Sequence, residues 1–95
     1  MELRVFTLPT CPTCPVAKRI VSSVAQKLGI AYREIDMATE AGRSEGLASN
    51  VFGAPSIALN EEVIVAGYVI SEERLEEMVK RRTERWTQRG LQQKP

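Results

Sequence analysis

The chain has 95 residues, 43% of them apolar, with 13 Lys plus Arg against 12 Asp plus Glu, two Cys and no His. That length fits one domain with one modest core and leaves nothing for a second. The missing His excludes any mechanism built on an imidazole base, and two thiolates cannot close a four-ligand zinc site within one chain.

Met1-Glu2-Leu3-Arg4 sets an acid and a base before a short apolar run, unlike the basic and then apolar opening of a secretory signal. No stretch approaches the roughly 18 apolar residues of a membrane span. The expectation is a soluble cytoplasmic protein with no membrane partner. Leu3 to Leu8, centred on Val5 and Phe6 and ended by Pro9, reads as a buried strand. Thr10-Cys11-Pro12-Thr13-Cys14-Pro15 follows at once. Val16, Ala17, Ile20, Val21, Val24, Ala25 and Leu28 then recur at spacings of 3 and 4, the clearest helix in the chain, with Gly29 as its C-cap. Ile30 to Asp36 reads as a second strand. Two strands joined by a helical crossover imply parallel pairing.

Thr39 to Asn50 is a weaker helix, capped by Thr39 and loosened by Gly42 and Gly46, each costing about 1 kcal/mol against Ala in a helix interior. Ser56 to Leu59 and Val63 to Ala66 flank Asn60-Glu61-Glu62, the length of a hairpin connection. After Gly67-Tyr68, Ser71 caps a last helix with Glu72 and Glu73 in its first turn and Leu75, Met78, Val79 and Trp86 on one stripe. The order is βαβαββα in an α/β fold, a single domain over residues 1–89 with a frayed tail at 90–95.

A thiolate is the nucleophile in thiol-disulfide exchange, and a helix N-terminus lowers a thiol's pKa. Cys11 is expected at the N-cap or first turn of the strongest helix, with Cys14 one turn on, where an i,i+3 pair can close a disulfide. Pro12 suits a first helical position, and Pro15 removes one N–H. Two other readings stand beside redox chemistry. The cysteines could be inert thiols, or two chains could pool their pairs around zinc or an iron-sulfur cluster. C-x-x-C between a strand and a helix of a βαβ unit favours redox chemistry over both.

Cys11-Pro12-Thr13-Cys14-Pro15 after the first strand, Gly53-Ala54-Pro55-Ser56-Ile57 before the third and Gly67 before the last helix resemble the thioredoxin and glutaredoxin superfamily over about residues 2–82. The chain is similar to the small, glutaredoxin-sized thioredoxins of archaea, including Lys18-Arg19 after the motif. The resemblance implies a thioredoxin fold, a mixed four-stranded sheet with three helices. It also implies a protein-disulfide reductase and electron carrier, recharged by a thioredoxin-reductase-like enzyme. Cys11 would be the attacking thiolate, Cys14 the resolving thiol and Pro55 a cis proline facing them. Thr10, Ala54, Pro55, Gly67 and Tyr68 would contact substrate, the Ala54 backbone pairing with a substrate strand. No cofactor beyond the Cys11–Cys14 disulfide, no metal and a monomer are expected.

Some residues depart from the family pattern. Thr10 stands where thioredoxins usually have Trp, and Val5 where they bury an acid beneath the motif, so the base for Cys14 is unassigned. Gly67-Tyr68-Val69-Ile70-Ser71 has one Gly and a Ser cap where glutaredoxins have Gly-Gly and a helix-capping Asp. Protein disulfides are therefore favoured over glutathione. Residues 1–79 carry 7 bases and 11 acids, net −4, whereas residues 80–95 carry 6 bases and 1 acid, net +5. Lys80, Arg81, Arg82, Arg85, Arg89 and Lys94 are read as a solvated helix end favoured by the macrodipole, with Glu76–Lys80 and Glu77–Arg81 as i,i+4 pairs, and not as a nucleic-acid site.

Overall fold

The computed structural model describes the backbone of residues 1–93 and the side chains of residues 1–85. The elements run β1 (Glu2–Thr7), α1 (Cys14–Leu28), β2 (Ala31–Asp36), α2 (Glu40–Ala48), β3 (Ser56–Leu59), β4 (Glu62–Ala66) and α3 (Glu72–Gln93). They form one mixed sheet of order β2-β1-β3-β4, with β1 parallel to β2 and antiparallel to β3, and β3 antiparallel to β4. This is the expected βαβαββα architecture. The side chains of Trp86, Arg89 and Lys94, and the expected fraying of 90–95, lie outside the residues described in full.

β1 is the central strand and is buried on both faces. On one face Leu3 and Val5, with Ile57 and Leu59 of β3, pack under Ala17, Val21, Val24 and Ala25 of α1 and Leu75 and Val79 of α3. On the other, Phe6 packs with Ile35, Val51 and Ala58 beside α2. Val16, expected on the apolar stripe of α1, is 38% exposed instead. Lys27 binds α1 to α3 through Glu72 at 2.5 Å, and Glu76–Lys80 (2.9 Å) and Glu77–Arg81 (2.8 Å) form as the spacing predicts.

Element ends shift for identifiable reasons. Leu8 does not extend β1, because its carbonyl accepts from Cys11 N–H (3.1 Å) to close a turn. Ile30 does not open β2. Gly29, left-handed at φ 66°, ends α1 in a Schellman motif, and Ile30 N–H completes it on the Ala25 carbonyl (2.9 Å). α2 ends at Ala48, short of Asn50, which is itself left-handed at φ 61° and turns the chain out of the helix. The hairpin loop is two residues, Asn60-Glu61, one fewer than expected, with Asn60 at φ 54°. α3 starts as expected: Ser71 Oγ accepts from Arg74 N–H at 3.1 Å.

Gly42 and Gly46 are more than helix weakeners. A Cβ on Gly42 would lie 1.8 Å from the Asp36 carbonyl oxygen, and one on Gly46 would lie 2.9 Å from Met37 Sδ. Both glycines are buried where α2 crosses the end of β2. Helix propensity alone has Gly42→Ala stabilise the protein by about 1 kcal/mol. Overpacking against backbone that cannot yield reverses the sign, and the variant is expected to lose about 2 kcal/mol in urea unfolding.

Candidate active site

The site follows from the register of the sheet. Thr7 lies beside Asp36, Phe6 beside Ser56, and Ser56 beside Ala66. The carboxyl ends of β1, β2 and β4 and the amino end of β3 therefore share one edge of the domain. The β1–α1 loop with the cysteines, the loop that leads to Pro55 and the loop that starts at Gly67 all emerge there.

Cys11 and Cys14 form a disulfide with Cα atoms 5.4 Å apart, within the usual range for such a bridge. Cys11 is not at the N-cap or in the first turn of α1. The helix begins at Cys14, three residues later, with Thr13 as N-cap: the Thr13 carbonyl accepts from Ala17 N–H at 3.1 Å, while Cys11 N–H is taken by the Leu8 turn. Pro12 accordingly lies outside the helix, and Pro15 is the proline of its first turn. The two sulfurs are unequal in access. Cys14 is 2% exposed, whereas Cys11 is half-buried.

Thr13 Oγ1 lies 3.7 Å from Cys11 Sγ and makes no cap bond to the helix. Thr10, Pro12 and Thr13 are exposed. The Ala54–Pro55 peptide is cis. Pro55 is buried, its carbonyl accepts from Gly67 N–H at 3.0 Å, and Ser56 Oγ donates to the Gly53 carbonyl at 2.7 Å. Gly67 adopts φ 86°, a conformation a side chain would strain. Tyr68 beyond it is 53% exposed, and Phe52, which the sequence reading did not single out, is 82% exposed.

A cavity of about 280 Å³ opens beside the disulfide, lined by Thr7, Leu8, Pro9, Cys11, Cys14, Pro15, Lys18 and Asp36. Asp36 is a cavity residue that no motif in the sequence marks. Its signal was available, since the parallel pairing of β1 and β2 sets the last residue of β2 beside the last residue of β1. Tyr32 Oη lies 3.3 Å from the Lys18 carbonyl and 2.9 Å from Glu34 Oε1. Burial first, and then the Glu34 carboxylate, hold the Tyr32 hydroxyl well above the ordinary tyrosine pKa, so it remains a donor. Among the described residues no group of three or more His, Cys, Asp or Glu is placed to hold a metal, and no helix is long and apolar enough to cross a membrane.

Residues 1–80 match the family model described as the thioredoxin domain. A probable thioredoxin of Archaeoglobus fulgidus is 34% identical over 65 residues, 68% of this chain and 71% of that protein. The thioredoxin of Methanocaldococcus jannaschii is 29% identical over 82 residues, covering 86% and 95% of the two chains. In fold, the structure of thioredoxin 1 from Thermosipho africanus superposes with a TM-score of 0.72 at 19% identity, over 92% of this chain and 99% of that one.

The contact between Thr13 Oγ1 and Cys11 Sγ generates a prediction. In the reduced protein a hydroxyl at that place can donate to a Cys11 thiolate, which favours the charged form. Thr13→Val removes the donor at nearly constant shape and breaks no cap bond. It is expected to raise the pH at which Cys11 ionises and to slow alkylation of Cys11 near neutral pH, read from ultraviolet thiolate absorbance or alkylation rate. An unmoved titration would show the contact to be incidental.

Proposed function

The chain belongs to the thioredoxin family, and on that premise we propose that it reduces protein disulfides by dithiol exchange and carries electrons in cell redox homeostasis. The carrying observation is the unequal access to the two sulfurs: Cys11 is half-buried and Cys14 is 2% exposed. A bulky substrate disulfide can reach only the first.

In the reduced protein the Cys11 thiolate attacks a substrate sulfur, expelling one substrate thiolate and forming a mixed disulfide. The Cys14 thiolate then attacks Cys11 Sγ, breaks the mixed disulfide and releases the second substrate thiolate. Two electrons have passed to the substrate, and the Cys11–Cys14 disulfide remains. A thioredoxin-reductase-like enzyme returns it to the dithiol. Thr10, Ala54, Pro55, Gly67 and Tyr68 would form the contact surface for substrate around the sulfurs, with Pro12 and Thr13 setting the spacing of the pair. Protein disulfides are favoured over glutathione because α3 is capped by the neutral Ser71 hydroxyl, not by the acid that glutaredoxins place there.

Insulin reduction tests the reading. Cys11→Ser is expected to abolish it, whereas Cys14→Ser should accumulate mixed disulfides that survive denaturation and are released by dithiothreitol. A Cys11→Ser variant reducing insulin at the parent rate would end the proposal. The potential of the pair, equilibrated against thiol buffers and read by thiol labelling, is expected at or below about −250 mV. A value of about −200 mV or higher would move the assignment to glutaredoxin-like or isomerase work.

A further inference from the structure

We infer that Asp36 and Lys18 serve the resolving half-reaction through the cavity they share with the disulfide, the carboxylate receiving the Cys14 proton and the ammonium holding the resulting thiolate. The inference rests on the reading of Cys11 as the attacking thiol and Cys14 as the resolving thiol.

The resolving step needs a proton acceptor, and the usual sources are missing. The chain has no His. Val5 of β1 is fully buried among apolar side chains. Cys14 is nearly closed to bulk solvent, so its proton needs a local route. The cavity beside it is that route, and the charged side chains lining it are Lys18 and Asp36. At about 280 Å³ it has room for several waters at roughly 30 Å³ each, enough to pass a proton between groups not in direct contact.

Asp36 is exposed, and its carboxylate is held from outside the cavity. Asp36 Oδ1 accepts from Ala38 N–H at 2.9 Å, and the Asp36 carbonyl accepts from Thr39 Oγ1 at 2.8 Å. Lys18 follows Cys14 by four residues on α1, hence on the same helix face, and its carbonyl is met by Tyr32 Oη. The other charged groups near Asp36 are Arg33, Glu34 and Glu45, which share a cleft with it on the α2 side.

In the mixed disulfide the substrate sulfur is bonded to Cys11 Sγ. The Cys14 proton passes to the Asp36 carboxylate, and Cys14 Sγ attacks Cys11 Sγ. The bond from Cys11 to the substrate breaks, and its electron pair leaves on the substrate thiolate. The proton then goes from Asp36 to water or to the departing thiolate. The dithiol is oxidised and the substrate reduced.

Reduced protein mixed with one equivalent of dithiobis(nitrobenzoate) separates the two steps. One coloured thiolate is released by Cys11 attack and a second by Cys14 resolution. Asp36→Asn keeps an acceptor for Ala38 N–H while removing the proton acceptor. It is expected to slow the second release about tenfold more than the first near neutral pH, with the gap closing as pH rises and Cys14 ionises unaided. Asp36→Glu should recover part of the loss, and Lys18→Gln should move the second release to higher pH. An Asp36→Asn protein whose ratio of second to first release matches the parent at every pH would overturn the inference and leave the reductase reading intact. A parent that releases a single coloured thiolate would overturn the dithiol reading itself, and this inference with it.

Discussion

The structure depends on β1 being satisfied from every side. Glu2–Thr7 bonds to β2 on one edge and β3 on the other, and its side chains are covered on both faces. A strand paired in two directions can shift register only by breaking both ladders, and a one-residue slip would exchange Leu3 and Val5 for Arg4 and Phe6 in the α1–α3 core. The register therefore fixes where β1 ends, and the cysteines follow that end within seven residues. Pro55, Gly67 and Asp36 reach the same edge because their strands are paired, directly or through β3, to β1.

One charged residue is built into this strand. The Arg4 side chain is 8% exposed, and its guanidinium meets Glu45 Oε2 at 2.8 Å, Ser49 Oγ at 3.1 Å and the Asn60 carbonyl at 3.0 Å, with the Phe6 ring centre 5.1 Å away. A buried cation is tolerated only with such a complete set of partners. The set spans α2, its C-terminal turn and the β3–β4 hairpin. α2 has nine residues, too few to persist alone, so its seat is set by the Thr39 cap, the two glycine contacts and this guanidinium. Arg33 also meets Glu45, so that carboxylate serves two cations from neighbouring strands.

The fold was legible because each signal was local. Apolar spacing in α1, the parallel crossover and the Ser71 and Thr39 caps are read within a few residues and need no knowledge of the rest. Features that depend on contact were not. Gly42 reads as a weak helix residue until the Asp36 carbonyl is set against it, and Arg4 reads as a surface base until Glu45, Ser49 and Asn60 gather around it. The apolar pattern puts Cys11 too far into the helix because it marks where a helix is buried, not where its first hydrogen bond forms. That bond belongs to Thr13, and the residues before it are spent on a turn. Asp36 differs, because the parallel pairing of β1 and β2 that the helical crossover already implies sets it beside Thr7 and on the wall of the cavity that the cysteines line.

The three helices begin differently, and the difference bears on the sulfurs. α2 is capped by Thr39 Oγ1 at 2.9 Å from Gly42 N–H, with Glu40 in its first turn; α3 is capped by Ser71 Oγ, with Glu72 and Glu73 there. α1 has neither a side-chain cap nor an acid in its first turn. An oxygen cap contributes about 1 kcal/mol and an acid near a helix N-terminus about half that, so their omission leaves a stabilisation of this order unused by the helix itself. The positive end of the dipole stands instead against Cys14, its first residue, and the disulfide holds Cys11 Sγ to the same place. When the bridge is reduced, a negative charge forming on Cys14 lies at a helix N-terminus where no side-chain cap or acid competes for the dipole. A helix capped like its two neighbours would be more stable and would hold a thiolate less well.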